Sequence, residues 1–264
     1  ARSAGVNVLA FSNNAAIAGG NVFVLGNLFE TTASRLSSFA AARGQGDIFI
    51  VSGQSTAEAV GRDAIARAIG GTRARLAGSA TFPISQDGVV GAVPQIAQQI
   101  RASGAQSVFF TSDNAGALPF LAQLLPDQGI TPDTVQFLGL TRLDIPPEAL
   151  SQPGLQGAVF ALPDPALNGN FRQRYAGAYG GQPHPLAGLA YDGIAAIGAL
   201  AGQGRGNALS RGALTTSAGF VGVNGIFRFR SDGTNDRGLA VAEIRNNQVT
   251  VIDPAPRRFG GAGF

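Results

Sequence analysis

The stretch DIFIVSGQSTAEAVGRDAIARAIGG (residues 47–71) decides the fold, because it joins one apolar strand directly to one amphipathic helix. Residues 47–52 are apolar almost throughout rather than alternating, which is typical of a strand covered by helices on both faces. Ser55 and Thr56 are candidate N-caps for the helix, and a glycine pair ends it. The stretch therefore predicts one β–α unit of a parallel sheet.

The same unit repeats on both sides of this stretch, at roughly 25 to 35 residues per repeat. Further strands are predicted at residues 72–82, 107–111, 135–140 and 155–162, and further helices at 30–43, 89–103 and 114–128. Pro94 is allowed in its helix only if it lies near the first turn, where its missing N–H is not needed. This order of elements predicts one doubly wound α/β lobe over residues 31–163.

The flanking segments have a different order of elements. Residues 1–30 contain two short predicted strands, and residues 164–223 contain two consecutive helices with no strand between them. Because two strands cannot cover their own apolar faces, we expect these segments to be parts of a second lobe whose first segment is absent from this sequence. Residues 224–264 are assigned to the same lobe as residues 31–163, and they include a predicted hairpin that turns at Asn246-Asn247.

Composition excludes several classes of protein and of site. Apolar residues make up 45% of the 264 residues and charged residues 13%, which excludes a disordered chain. No apolar run reaches the roughly 18 residues of a membrane span, so we predict no transmembrane segment. Cys is absent, all 19 basic residues are arginine, and His184 is the one histidine. Thiolate chemistry, a lysine Schiff base and multi-histidine metal sites are thereby excluded, and we predict no metal and no cofactor.

The distribution of positive charge argues against a nucleic-acid partner. The formal net charge is +3, but the arginines are scattered along the chain. Proteins that bind nucleic acids usually concentrate basic groups on one face with aromatic residues between them. We therefore predict a mildly cationic surface and no nucleic-acid binding.

No arrangement of residues predicts catalysis. The chain has no GxSxG elbow, and none of its glycine-rich stretches matches a phosphate-binding GxGxxG. Most carboxylates, Glu58 and Asp113 among them, fall at helix starts and turns, where capping explains them. Asp192, inside a predicted helix, is a better candidate for a specific role. We predict a binding protein rather than an enzyme.

The order of elements and three segments together resemble a known family. The segments are VNVLAFSNN (6–14), GAVFALPD (157–164) and PLAGLAYDGIAAIGAL (185–200). With them the chain resembles the type I periplasmic binding proteins of the leucine-binding class. The resemblance implies a two-lobed α/β fold, each lobe a doubly wound parallel sheet. By this resemblance, residues 1–30 and 164–223 form lobe one, which is incomplete, and residues 31–163 and 224–264 form lobe two. The resemblance also implies a periplasmic location.

Two functions follow from the resemblance. The segment GFVGVNGIFRFRSDGTNDRGLAVAE (219–243), together with FSNN, is similar to the penicillin-binding-protein activator lipoproteins, a branch that shares this fold. That branch implies a lipid-anchored scaffold that contacts a peptidoglycan synthase, a penicillin-binding protein. The alternative is a solute receptor of an ABC transporter, with a permease as partner and amino acids or related small polar molecules as ligands.

The candidate ligand residues follow the predicted strands of both lobes. Open α/β sheets bind ligands at the carboxyl ends of their strands, and the family holds its ligand between the lobes. We therefore expect the interlobe cleft to be lined by Ser12, Asn13, Asn14, Gln54, Ser55, Ser112, Asp113, Asn114, Thr141, Arg142, Tyr191 and Asp192.

The position of Arg142 bears on the ligand. In the amino-acid binders of this family, an acid of the second lobe pairs with the ammonium group of the ligand. Thr141 and Arg142 stand where that acid is expected. The ammonium partner is therefore predicted to be lost and replaced by a cation, which disfavours a branched-chain amino acid. An acidic or uncharged ligand, or a cleft that holds nothing small, is left open.

Overall fold

A computed structural model of the chain describes residues 5–204 and 206–260. The chain divides into two compact units. In the described ranges, unit one contains residues 5–31, 163–204, 206–240 and 254–260, and unit two contains Thr32–Leu162 and Val241–Asp253. The predicted lobes also include residues 1–4 and 261–264, which lie outside the described residues.

Strands and helices alternate through most of the chain. In chain order the elements are β1 (Val8–Ala10), β2 (Val22–Val24), α1 (Phe29–Ala42), β3 (Asp47–Gly53), α2 (Thr56–Gly70), β4 (Arg75–Phe82), α3 (Gln86–Ser103), β5 (Ser107–Phe110), α4 (Leu118–Asp127), β6 (Gln136–Gly139), β7 (Val159–Leu162), α5 (Pro165–Tyr179), α6 (Ala187–Ala201), α7 (Arg211–Leu214), β8 (Phe220–Gly222), β9 (Gly225–Phe229), β10 (Asn235–Arg237), β11 (Ala240–Arg245) and β12 (Gln248–Asp253). Short 3-10 helices lie at Ala15–Ile17, Pro147–Ser151 and Pro153–Leu155.

Unit two contains a seven-stranded sheet with the order β12-β11-β7-β6-β5-β3-β4. β3 pairs in parallel with β4 on one side and with β5 on the other, and β6 and β7 continue the parallel series. The chain therefore leaves β3 toward β4 and returns on the opposite side of β3 at β5. This reversal of strand order is the topological switch point of a doubly wound sheet. The predicted α/β fold with a mostly parallel sheet is confirmed.

The local sequence explains the first β–α unit of this sheet. Every residue of β5 is buried, and in β3 only Asp47 is partly exposed, as expected for strands that helices cover on both faces. The Ser55 hydroxyl accepts the backbone N–H of Glu58 and so caps α2, as predicted. The unit therefore forms as the sequence indicates.

The predicted helix around Pro94 forms, but the condition set for this proline is not met. Helix α3 begins at Gln86, before the predicted start, so Pro94 lies in the middle of the helix rather than near its first turn. A proline there cannot donate a hydrogen bond to the carbonyl of Val90, four residues earlier. Val90 is 48% exposed, so water can satisfy that carbonyl.

The hairpin of β11 and β12 lies next to β7 in the sheet of unit two. Its turn is formed by Asn246 and Asn247, with φ of 52° and 60°. Asparagine adopts such left-handed conformations more readily than most residues, and two of them in succession are typical of a two-residue hairpin turn. The predicted hairpin is confirmed.

Unit one contains two small sheets. β1 pairs in parallel with β2, and β8, β9 and β10 form an antiparallel sheet in the order β10-β9-β8. The buried rings of Phe23 and Phe229 meet edge to face at 5.4 Å, and Leu200 of α6 packs into the same cluster. Within the described ranges, no helix of either unit is long and apolar enough to cross a membrane.

The structure corrects the predicted boundary at the end of the chain. Residues 224–240 and 254–260 were assigned to lobe two, but they lie in unit one. β9 pairs with β8 and β10, and the side chains of Phe227 and Phe229 are buried in the core of unit one. In this part of the chain, only the residues of the hairpin, Val241–Asp253, belong to unit two.

Candidate functional site

A carboxylate spans the switch point of the sheet in unit two. The carboxyl edge of this sheet is defined here as the edge at which β3, β4, β5 and β6 end. Glu58, in the first turn of α2, reaches back over this edge, and its Oε2 accepts the backbone N–H of Gly53 at the end of β3. The same oxygen accepts the Thr111 hydroxyl at 2.6 Å, and Ser112 Oγ lies 2.8 Å from both carboxylate oxygens. Glu58 therefore joins the ends of β3 and β5.

Glu58 does more than the helix capping that its position in the sequence predicts. Ser55 and Glu58 have the S-x-x-E spacing of a capping box, in which the glutamate normally returns to the backbone N–H of the serine. Here the carboxylate passes beyond Ser55 to Gly53 and across to the next strand. Thr111, which was also missed, is 7% exposed. A capping box directly after a buried strand beside the switch point was the signal available in the sequence.

Arg142 follows β6 at the same edge, and an acid neutralises it. Its Nε donates to Asp144 Oδ1 at 2.6 Å, and its Nη2 donates to Asp144 Oδ2. This two-point contact is the strongest geometry available to a guanidinium and a carboxylate. The predicted cation is present at the edge, but its charge and its best donors are directed to Asp144.

The other predicted residues of unit two lie in the loops of the same edge. Gln54 is exposed and donates to the Thr81 hydroxyl at 3.3 Å. Asp113 accepts two backbone N–H groups of its own loop, from Ala115 and Gly116. These contacts stabilise loop conformations, as is common for Asp and Asn in turns.

Two polar atoms of this edge have no hydrogen-bond partner within the described residues. Asn114 donates from Nδ2 to the carbonyls of Leu143 and Ile145, at 2.9 and 3.0 Å, and thereby joins the loops after β5 and β6. Its Oδ1 and the hydroxyl of Thr141 are buried and unpartnered. The edge thus holds spare acceptors as well as satisfied ones.

The predicted residues near the beginning of the chain form a tight loop in unit one. Ser12 Oγ accepts the backbone N–H of Asn14, and Asn14 Oδ1 accepts that of Ala16. Gly26 donates its backbone N–H to the carbonyl of Ser12 at 2.9 Å, and a Cβ at this glycine would lie 2.4 Å from that oxygen. Asn13 is exposed. The loops that follow β1 and β2 are therefore in backbone contact.

Asp192 has a structural environment inside unit one. The residue is 0% exposed. Its carboxylate accepts the backbone N–H of Val223 at 2.6 Å and lies 3.4 Å from Nη1 of Arg237, itself 2% exposed. Burial raises the pKa of the Asp192 carboxyl and lowers the pKa of the Arg237 guanidinium, while each group's charge opposes the other's shift. The acceptors of Asp192 are used within the unit.

Tyr191 lies on a different side of the same helix, α6. Its side chain is 49% exposed, and its ring centroid lies 5.5 Å from that of Phe171 on α5. Side chains at adjacent helix positions point about 100° apart, so Tyr191 and Asp192 contact different parts of unit one. The structure does not bring these two predicted residues together.

A groove of about 830 Å³ lies at the other end of the sheet of unit two. It runs between the end of α4 and the turn of the β11–β12 hairpin, and its charged walls include Asp133 and the ion pair of Glu243 with Arg245, 2.7 Å apart. None of the predicted ligand residues lines it. Within the described residues, no group of three or more His, Cys, Asp or Glu is arranged to hold a metal.

The sequence matches the family described as periplasmic binding protein over residues 1–248. No curated protein matches the chain. Similar solved structures exist, and three illustrate the likeness. The periplasmic ligand-binding protein of a branched-chain amino acid ABC transporter from Burkholderia xenovorans LB400 has a TM-score of 0.74 at 15% identity, with 97% of this chain and 72% of that chain covered.

Two further structures carry ligands in their names. An ABC transporter substrate-binding protein from Desulfitobacterium hafniense in complex with Leu has a TM-score of 0.64 at 15% identity, covering 88% of this chain and 68% of that one. A solute-binding protein of an ABC transporter from R. palustris in complex with benzoate has a TM-score of 0.65 at 15% identity, covering 99% and 74%. At these identities the likeness concerns the fold alone.

These findings confirm the leucine-binding-protein-like type I fold, and with it the prediction of a binding protein rather than an enzyme. The neighbours are substrate-binding proteins of ABC transporters. Because the match extends over residues 1–248 of 264, the chain belongs to the periplasmic binding protein family.

Proposed function

We propose that this protein is the solute-binding receptor of an ABC transporter and that its ligand, a small polar molecule, binds at the carboxyl edge of unit two. The observation that carries the proposal is the position of Glu58. Its carboxylate lies across the ends of β3 and β5, where the strand order reverses. In open α/β sheets, ligands bind at this point because neighbouring loops diverge there and leave a crevice.

The chemistry of the edge suits a small polar solute. Glu58, Asn114 and Thr141 provide a charged acceptor and two acceptors without partners in the described structure. A solute enclosed there would exchange hydrogen bonds to water for hydrogen bonds to fixed groups, which gives specificity in a concave site. The related structures named with Leu, a zwitterion, and with benzoate, an anion, support the view that this fold accommodates solutes of different charge, so that ligand class depends on the local residues.

The family and its structural neighbours support a proposal about location and partner. We propose that the protein acts in the periplasm, with a membrane permease of an ABC transporter as its partner. Within unit one, Ser12, Asn13 and Asn14 stay proposed ligand residues, since their loop follows β1.

Ligand screening by thermal shift tests the proposal. The whole chain is mixed with the proteinogenic amino acids, small amines and small carboxylates, and hits are confirmed by titration calorimetry. A ligand at one hundred times its dissociation constant stabilises the folded state by about 2.7 kcal/mol, which raises the melting temperature measurably. A saturable one-to-one isotherm supports the receptor function. A panel without any hit contradicts it.

One observation favours a second function, that of a scaffold that activates a penicillin-binding protein. Many predicted ligand residues use their polar atoms on their own unit: Arg142 on Asp144, Asp113 on its loop and Asp192 on Arg237. Ligand residues whose charges are mostly matched within the protein are expected of a protein that no longer binds a solute. Capture of a purified penicillin-binding protein by the immobilised chain, together with a blank ligand screen, would favour this function. A lipid anchor belongs to the same proposal.

A further inference from the structure

We propose that one face of unit one is a docking surface for an anionic phospholipid membrane. The proposal goes beyond the receptor function and does not depend on the ligand. The face is the side of the β8–β9–β10 sheet that points away from the core of unit one, together with the residues that border it. We call it the arginine face, and its arginines are Arg211, Arg228, Arg230, Arg257 and Arg258.

Alternation along β9 places two of these arginines on the outer side of the sheet. Phe227 and Phe229 are buried in the core of unit one, so Arg228 and Arg230 point the opposite way. Both guanidinium groups contact one carboxylate, that of Asp236. Arg228 donates through Nε at 2.8 Å and Arg230 through Nη2. Because one acid faces two arginines, the three groups together retain positive charge.

The segment that follows β12 brings two further arginines to this face. The guanidinium of Arg228 lies 4.4 Å from the centroid of the Phe259 ring. A Cβ at Gly219 would lie 2.6 Å from Phe259 Cε2, so the same ring packs closely against the residue before β8. Arg257 and Arg258 directly precede this ring. Both are exposed, and within the described residues neither forms an ion pair.

The fifth arginine borders the face at the turn after β9. Arg211, at the start of α7, donates to the carbonyls of Gly20 and Ser231. These partners are neutral, so they leave the charge of Arg211 unmatched. The turn also contains Asp232, whose Oδ1 accepts the backbone N–H and the hydroxyl of Thr234. On the arginine face, five arginines therefore stand against two acids, and its field attracts anions.

An exposed apolar side chain among these charges favours a bilayer as the partner. Val221 of β8 pairs with Ile226, so it lies on the same side of the sheet as Arg228, and it is 73% exposed. Surfaces that lie in a membrane interface combine basic groups with apolar side chains that enter the acyl boundary. Guanidinium groups also match the geometry of phosphate oxygens. An acidic protein would account for the arginines alone, whereas a bilayer accounts for the valine as well.

The expected association is reversible. Each basic residue close to an anionic membrane raises the binding constant about fivefold, and the attraction falls off within a Debye length. A surplus of a few arginines without a buried anchor therefore holds the protein at the surface without fixing it there. Such an association suits a protein whose proposed partner, the permease, lies in the membrane.

Co-sedimentation of the whole chain with lipid vesicles tests the proposal. Vesicles of phosphatidylglycerol and phosphatidylcholine in equal parts are compared with vesicles of phosphatidylcholine alone. Binding is expected to the anionic vesicles in 0.1 M salt. It should disappear in 1 M salt, where the Debye length falls from about 10 Å to about 3 Å. Immobilised polyglutamate is included as the probe for an acidic protein.

Two double variants show whether the arginine face carries the binding. Arg257→Gln with Arg258→Gln removes two exposed charges of the face and is expected to weaken vesicle binding at least about tenfold. Arg172→Gln with Arg174→Gln removes the same charge from exposed positions of α5 and should weaken binding far less. Circular dichroism checks that both proteins are folded.

A substitution on the sheet keeps the test decisive if the first double variant fails to fold. Val221→Asp removes the apolar side chain and adds an opposing charge at an exposed site, so it should also weaken binding. Ile194→Asp, at a site of α6 that is 70% exposed, is its control.

Three results would overturn the proposal: no binding to anionic vesicles in low salt, equal weakening in a variant and its control, or binding that no variant of the face changes. Retention on polyglutamate without vesicle binding would assign the face to an acidic protein instead. The ligand screen is independent of all these results, so a failure here leaves the receptor function standing.

Discussion

Two carboxylates in this chain stand in opposite surroundings. Asp192 of unit one is fully buried, with Arg237 as its counter-ion and Val223 N–H as a further donor. Glu58 of unit two is half-buried at a sheet edge, and its donors are a backbone N–H and two neutral hydroxyls. From the sequence, Asp192 was predicted to have a specific role, whereas Glu58 was predicted to be a helix cap.

The difference separates a charge that is matched by a counter-ion from one that is held by neutral groups. A buried carboxylate with a buried guanidinium is matched within the protein, and removing one partner leaves the other charge buried and unpaired. A carboxylate with neutral donors has no such buried counter-ion to leave behind. The following experiments test whether the two groups differ as the structure indicates.

The largest expected effect is that of Asp192→Asn. The substitution keeps the shape of the side chain but leaves the Arg237 guanidinium buried without a counter-charge, which is expected to destabilise the protein by about 3–5 kcal/mol. Urea unfolding followed by circular dichroism measures the loss. Asp63→Asn, an exposed acid, serves as the control and should change stability by less than about 0.5 kcal/mol. An equally small change in Asp192→Asn would show that the buried pair does not support unit one.

Two glycines, one beside each carboxylate, sharpen the comparison. A Cβ at Gly222 would lie 2.2 Å from Asp192 Oδ1, and one at Gly53 would lie 2.7 Å from Glu58 Oε1. Asp192 is fully buried and held by its ion pair, whereas Glu58 is half-buried and held by neutral donors. Gly222→Ala should therefore cost about 1–3 kcal/mol and Gly53→Ala distinctly less. The urea unfolding midpoints of the two variants measure these losses. A larger loss in Gly53→Ala than in Gly222→Ala would contradict the difference between the two carboxylates.

Loss of one hydroxyl at the edge should have a smaller effect. Thr111→Val removes a donor to Glu58 without changing side-chain shape, at a cost of about 1.5 kcal/mol, the lower end for hydrogen bonds to charged groups. Thr111→Ser keeps the hydroxyl and controls for its loss. Thermal unfolding of the three proteins gives the comparison, and equal losses in both variants would mean that the hydroxyl bond contributes nothing.

The smallest effect is expected at an exposed ion pair, that of Asp47 with Arg75. The hydrogen bond from Arg75 lowers the pKa of Asp47 below its ordinary value. A carboxyl with a lowered pKa stabilises the fold above its unfolded pKa, and that contribution disappears as the pH falls through the lowered value. The small stability difference between wild type and Arg75→Gln should therefore shrink below about pH 4. A difference that persists at pH 2 would contradict this assignment.

The sequence was sufficient for the fold of unit two. Its uninterrupted apolar strands, the cap at Ser55 and the turn at Asn246-Asn247 are local signals, and each agrees with the others. The boundary in the final segment was missed because β9 and β10 belong to unit one through pairing with β8 and burial of Phe227, which no local pattern records.

The candidate site was predictable by position but not by charge. Strand ends placed Ser112, Asn114 and Arg142 at one edge of the sheet. Whether Arg142 is free depends on its contact with Asp144, and whether Glu58 is a cap depends on its reach to Thr111, more than 50 residues away. Such pairings are set by side-chain conformations in the folded protein, so residue types alone do not give them.

The close approach of Gly26 to Ser12 has a mechanical consequence. Asn235 donates through Nδ2 to the carbonyls of both Val24 and Gly26, at 2.8 Å each, so the segment beside Ser12 is fastened to β10. The loop of Ser12 is in turn bonded to Gly26 through the backbone. The Ser12 loop and β10 are therefore mechanically coupled through the segment that contains Gly26. We expect the backbone amides of the Ser12 loop and of β10 to exchange their hydrogens in one cooperative opening rather than independently.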